Sequence, residues 1–289
     1  MKRFQFGDMT IHRLIEMERP HAEPEAFFPG IDPAIMRENK NWLEQIGALA
    51  DGKLVLCFQS YVVKTPHHTV LIDSCIGNHK ERPGRPLWDK KTDDSYLRGL
   101  AEIGLSVDDI DVVMCTHMHT DHVGWNTRLE NGKWVPTFPK ARYLFSKIEY
   151  DYWAVEHAKT PNNAIADSVI PIVEARRHEF VKNDYALDDH VTLLPTPGHT
   201  PDHYAVTLGR GREDAVVTGD LIHSPLQMRY LDLAPWPDFD AKQAAATRRS
   251  FFERYCDTQT LVCTAHFPSP SIGHVKREGK GFRLDAPKA

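Results

Sequence analysis

Short apolar runs, bounded by acids, glycines and prolines, recur along this chain and set its predicted elements. Residues 3 to 16 mix β-branched and aromatic side chains with polar ones and predict a strand. Residues 18 to 32 carry Pro20, Pro24 and Pro29 without a period and predict a loop. The adjacent Phe27 and Phe28 are expected either to pin that loop to the core or to form a lid over a site. Apolar residues at 35, 36, 42, 43, 46 and 49, behind Pro33, predict an amphipathic helix. "KLVLCFQSYVVKT" and "HTVLIDS" follow as strands, "DSYLRGLAEIG" as a helix ended by Gly104, and "DIDVVMCT" as a short apolar strand. "ARYLFS" is a strand leading into the helix "KIEYDYWAVEHA". "NNAIADSVIPIVEARR" predicts a helix kinked or restarted at Pro171. Three short strands come next, "VTLLPTPG", "HYAVTLG" and "DAVVTGD". A helix presenting Ala244, Phe251, Phe252 and Tyr255 and a last core strand, "TLVCTAH", complete the series.

The order is β-β-α-β-α, then β-β-β-α-β. It departs from the strict alternation of a doubly wound sheet and predicts one domain over 1–289, with two sheets flanked by helices. Residues 1–50 read as an extension of strand, loop and helix, suited to a lid or a dimer contact.

Composition narrows the partners. The chain has 289 residues, 41% apolar and 26% charged, as a globular protein does. A net charge of -5 gives no reason to expect nucleic acid or an anionic membrane surface. The most basic stretch, "HKERPGRPLWDKK", contains Pro, Gly and acids and predicts a solvated loop. No apolar run reaches the length of a membrane span, and the N-terminus lacks a signal-like apolar core. The five cysteines, with no CxxC, argue against a disulfide framework and for a reducing compartment. Cys57, Cys115 and Cys263 lie in apolar runs and are expected to be inert and buried. The expected location is the cytoplasm.

The candidate chemistry stands at strand ends. "CTHMHTDHVGW" places His117, His119, Asp121 and His122 directly after an apolar run. His199 follows "VTLLPTPG", Asp220 ends "DAVVTGD", and His266 ends "TLVCTAH". Neutral imidazole and carboxylate suit zinc and related divalent ions. His117 and His119 are two apart in an extended segment and point the same way. Asp121 and His122 follow in a turn and can serve a second ion. A carboxylate at Asp220 able to bridge would hold two ions roughly 3.5–4 Å apart, the spacing of two-metal hydrolytic sites. A hydroxide held between them is a nucleophile at neutral pH.

"THMHTDHVG", "PTPGHTPDH", "TGD" and "TAH" together resemble the metallo-β-lactamase superfamily, from about residue 53 to His266. The resemblance implies the metallo-β-lactamase fold, an α+β four-layer αββα sandwich with the site at one edge of the sheets. It implies a first ion on His117, His119 and His199, a second on Asp121, His122 and His266, and Asp220 between them. Zinc is the expected metal, with manganese, cobalt or iron as alternatives. Asp73 and His203 are expected to support ligands rather than react.

Asp220 directs the resemblance toward the lactonase and organophosphate-hydrolase branches, since β-lactam-hydrolysing branches lack a bridging carboxylate there. The quorum-quenching lactonases have Tyr three residues after that carboxylate, where this chain has His223. "GDLIH" is similar instead to methyl parathion hydrolase and its lactonase and arylesterase relatives. The expected activity is therefore hydrolysis of lactones or aryl and alkyl esters. Asp220, Asp121 and His223 are its candidate catalytic residues. Trp125, Leu226, Met228, Phe267, Phe27 and Phe28 are candidates for an apolar substrate pocket. Phosphotriester hydrolysis and a mononuclear iron dioxygenase are the alternatives. A small ester or lactone and a second copy of the chain are the expected partners.

Overall fold

The structure, a computed structural model, describes residues 3–287. It divides into two compact units, Met1–Met17 with Phe58–Tyr185 and Glu18–Cys57 with Ala186–Ala289.

In the first unit the sheet order is Arg3–Phe6, Met9–Ala22, Lys53–Lys64, Thr69–Ile72, Val112–Met114, Arg142–Ser146, His178–Val181. The last four strands run parallel, with Ile72 opposite Met114 and Met114 opposite Leu144. Parallel neighbours need long crossovers, which the helices Ser95–Glu102 and Lys147–Lys159 help to supply. Leu71, Val113, Tyr143 and Phe145 meet Ile165 and Ile172 in one apolar core. The strand Val112–Met114 is buried at every residue, which is why "DIDVVMCT" reads as a continuous apolar run.

The second unit has a six-stranded sheet ordered Val191–Pro195, Tyr204–Leu208, Ala215–Val217, Leu261–Cys263, Ile272–Glu278, Gly281–Asp285. Its single parallel pair joins Ala215–Val217 to Leu261–Cys263, and the helix Ala241–Tyr255 lies in the connection. Asp240 caps that helix, accepting from the Lys242 and Gln243 amides at 3.0 Å each. Phe251, Phe252 and Tyr255 pack on Val216, Val262 and Phe282.

Several elements differ from expectation. The strand Met9–Ala22 continues through Pro20 into the predicted loop, because its last residues are half-exposed and can dispense with ladder bonds. A one-turn helix, Pro24–Phe27, follows with Pro at its first position. Phe27 and Phe28 are buried, 4% and 1% exposed. "NNAIADSVIPIVEARR" contains a π-helical turn, Ile165–Val169, before the α-helix Ile170–Glu174, because Pro171 withholds an N–H from the regular ladder. The hairpins Thr127–Glu130 with Lys133–Pro136, and Ile272–Glu278 with Gly281–Asp285, were not expected. Cys57, Cys75, Cys115 and Cys263 are buried. No helix among the described residues is long and apolar enough to cross a membrane.

Candidate metal centre

In the first unit the strand Val112–Met114 ends against Asp73, which closes the neighbouring strand Thr69–Ile72. Asp73 adopts a left-handed conformation, φ 58°, that Asp tolerates better than most residues. Its carboxylate accepts from the Thr116 amide at 2.7 Å, from the Thr116 hydroxyl, and from His122 Nδ1 at 2.9 Å. One buried side chain therefore fixes the loop before His117 and orients His122. A carboxylate accepts the hydrogen bond from Nδ1–H, so neutral His122 presents Nε2 as a lone pair, 3.8 Å from Asp121 Oδ2.

The buried Glu149 holds the middle of the motif. Its Oε1 accepts from the Met118 amide at 3.2 Å and from Trp153 Nε1 at 2.7 Å. The Trp153 ring meets the His119 ring edge-on at 5.5 Å. His117, fully buried, lies with its ring centroid 4.6 Å from His119 and 4.1 Å from His122. Gly124 lets the motif close. A Cβ there would stand 1.9 Å from the Ile76 carbonyl oxygen, so no other residue fits without moving the backbone.

In the second unit three imidazoles surround Asp220. His266 Nε2 is 2.9 Å from Oδ1, and His199 Nε2 and His223 Nε2 are each 3.2 Å from Oδ2. Asp220, His223 and His266 each offer a ligand atom, all within 4.8 Å of one another. The far nitrogens decide the tautomers. His266 Nδ1 is 2.9 Å from the Cys57 carbonyl, which can only accept. His199 Nδ1 is 2.8 Å from Asp238 Oδ1, another pure acceptor. Both rings thus carry hydrogen on Nδ1 when neutral, and each turns an Nε2 lone pair toward a carboxylate. Two acceptors face each other at hydrogen-bond distance, an arrangement that calls for a cation.

The charge balance agrees. Burial alone would lower the His199 pKa, but the carboxylates of Asp220 and Asp238 outweigh it and raise it to about 9. In the absence of another cation His199 takes up a proton. Divalent ions meet the same demand, and the donor set of imidazole and carboxylate is the one zinc accepts. The residues present therefore fit a metal centre.

His203 and His223 behave differently. His203 Nε2 accepts from the Asp220 amide at 2.9 Å, so its lone pair is occupied, and its Nδ1 reaches Thr196 Oγ1 at 2.8 Å. His203 thus joins the loop before His199 to the turn Gly219–Leu221. His223 stacks on His266, centroids 5.3 Å apart, and burial pushes its pKa down to about 4 despite Asp220. It is neutral, and its buried Nδ1 has no hydrogen-bond partner among the described residues.

The metallo-beta-lactamase superfamily matches residues 59–266. The chain belongs to that superfamily. The N-acyl homoserine lactonase AiiA of Bacillus thuringiensis subsp. kurstaki is 23% identical over 230 residues, which cover 76% of this chain and 85% of that one. AidC, a dizinc quorum-quenching lactonase solved with its product, is 25% identical with a TM-score of 0.82, covering 100% of this chain and 97% of AidC. The hydrolase AbOPH of the beta lactamase superfamily is 24% identical with a TM-score of 0.83, covering 99% and 97%. The fold is the metallo-β-lactamase fold.

The first unit of this superfamily member thus holds His117, His119, Asp121 and His122 in one short motif, with His122 oriented by Asp73, and the second gathers His199, His223 and His266 around Asp220, whose amide donates to His203. The apolar candidates are all buried. Trp125 stacks on Tyr96 at 5.2 Å and donates to Glu16 Oε1 at 2.7 Å, deep in the first core. Leu226, Met228 and Phe267 are buried, the last two in the second core. Phe27 meets a candidate catalytic ring, His223, edge-on at 5.5 Å. Phe28 lines a groove of ≈ 510 Å³ with Ile35, Tyr230 and Leu233, and no candidate ligand lines it. Asp238, Arg248 and Glu149 were not singled out from the sequence. Nor were Trp236 and Phe239, exposed at 59% and 55%, whose segment is tied to the Phe27 and His199 carbonyls by their backbone amides.

Proposed function

We propose that this protein is a dinuclear metal-dependent hydrolase of lactones and aryl or alkyl esters. The arrangement of three imidazole Nε2 atoms around Asp220, with the His199 and His266 tautomers set by acceptors on Nδ1, carries this reading. Superfamily membership and the lactonases among its relatives support it. The ligand set is His117, His119 and His199 for one ion and Asp121, His122 and His266 for the other, with Asp220 common to both. Two divalent ions there would polarise the ester carbonyl and bring the pKa of water down to about 7.

The chain's own residues supply orientation and proton traffic. Asp73, Asp238 and the Cys57 carbonyl keep hydrogen on the far nitrogens of their imidazoles, so each Nε2 stays a ligand. His223 donates from Nε2 to Asp220 and keeps Nδ1 as an acceptor for substrate or water. It stands where quorum-quenching lactonases carry a phenol donor, which favours aryl lactones over acyl-homoserine lactones. Asp121 is the second group able to pass a proton. Trp236 and Phe239 offer apolar surface next to the His199 loop for the acyl or aryl part of the substrate.

Metal dependence tests this. Protein stripped with a chelator should hydrolyse an aryl lactone no faster than buffer, and zinc should restore activity up to two ions per chain. Saturation at one ion, with oxygen uptake in the iron-loaded form, would put the mononuclear dioxygenase in its place.

A further inference from the structure

The buried stripe of the helix Ala241–Tyr255 is apolar at Ala244, Phe251, Phe252 and Tyr255 and charged at one place, Arg248, which is 1% exposed. A buried guanidinium is costly unless its donors are met, and an apolar residue of similar volume would often be as stable. Here two of the donor nitrogens reach groups next to candidate ligands. Arg248 Nε donates to the Leu221 carbonyl at 2.9 Å. Nη1 donates to the Leu231 carbonyl at 2.6 Å and the Leu233 carbonyl at 3.2 Å. Nη2 lies 3.6 Å from Asp238 Oδ2, and the Asp238 side chain is itself 1% exposed.

Leu221 directly follows Asp220 in the turn Gly219–Leu221. Asp238 accepts from His199 through its other oxygen. We propose that Arg248 is a positioning residue for metal binding, whose fork ties the backbone carrying Asp220 to the carboxylate that orients His199. The inference rests on the metal-hydrolase reading above.

The same helix holds the His199 loop from a second side. Thr247 Oγ1 donates to the Pro197 carbonyl at 2.8 Å, and the Asp240 amide donates to the Gly198 carbonyl at 2.9 Å. Gly198 approaches so closely that a Cβ would stand 2.3 Å from the Ala244 nitrogen. A guanidinium suits the task because its rigid fork reaches three carbonyls and a carboxylate at once, which a lysine ammonium on a flexible stem cannot. Without it, the Asp238 carboxylate would lose one of its buried counter-charges, and both His199 and the Asp220 turn would lose their common anchor.

The experiment compares metal-free wild type, Arg248→Lys, Asp238→Asn and the double variant. Cobalt(II) is titrated against a chromophoric chelator, and visible absorption reports the coordination. Denaturant midpoints of the same metal-free proteins report stability. Each single variant should bind cobalt about 10- to 100-fold more weakly with an altered visible spectrum, as expected for lost support of a ligand. The double variant should bind no more weakly than the worse single variant, because both act through one contact. A merely structural Arg248 would lower the denaturant midpoint and leave affinity and spectrum as in wild type, and that result overturns the proposal. Losses that multiply in the double variant also overturn it. If Arg248→Lys does not fold, wild-type affinity in Asp238→Asn overturns it alone. If wild type binds no cobalt stoichiometrically, the metal-hydrolase reading falls first and takes this inference with it.

Discussion

Replacing Asp220 with Ala is expected to lower kcat/KM for ester hydrolysis by on the order of a hundredfold or more. Its carboxylate lies within 3.2 Å of three imidazole nitrogens, and it is the proposed shared ligand. The substitution leaves the backbone in place, since the Asp220 amide keeps its bond to His203. Loss of activity with an unchanged denaturant midpoint would therefore report the site and not the fold. Asp220→Asn sharpens the comparison, because it keeps the shape and removes the charge. Full activity in either variant, measured with zinc in excess, would end the two-metal account.

Asp73→Leu should have the largest effect on stability, a loss of about 3–5 kcal/mol, because it strips the partner from donors buried with it. The Thr116 amide and hydroxyl and His122 Nδ1 all lose their acceptor. Leucine must also adopt the left-handed backbone that Asp73 occupies. Urea unfolding of the metal-free protein measures this, and a loss below about 1 kcal/mol would show that water replaces the carboxylate without difficulty. Asp73→Asn separates folding from ligation. The Thr116 donors claim the amide oxygen, so the amide nitrogen faces His122 and forces hydrogen onto its Nε2. That variant should fold and bind one ion fewer than wild type.

The sequence carried the local parts of this account. The period of "PAIMRENKNWLEQ" marks the helix Pro33–Gln45 that forms, and the acid-bounded run "DIDVVMC" contains the strand Val112–Met114 that delivers the histidine motif. Ligand candidates were legible because short apolar strands end in metal-capable residues. Asp73 and His203 were named beside them as supports, but Asp238, Arg248 and Glu149 were not. Asp238 is 39 residues from His199, and Arg248 lies 27 beyond Leu221 on a helix whose stripe reads as apolar. No spacing rule links such positions; only the folded backbone does. Side-chain direction was equally illegible. Trp125 follows the histidine motif directly, yet its indole turns into the core to reach Glu16. One miss had a readable signal: Asn131 and Gly132 both have positive φ, in the turn of a hairpin that "ENGK" announces.

The most direct measurement is kcat/KM of the zinc-loaded protein on an aryl lactone and on a long-chain acyl-homoserine lactone. Hydrolysis of both, with the aryl lactone clearly preferred, is the predicted result and would assign to His223 the place that a phenol holds in the quorum-quenching lactonases. Preference for the homoserine lactone would keep the hydrolase and refute the role given to His223. Turnover of neither substrate would contradict the central claim that this metal centre opens ester bonds.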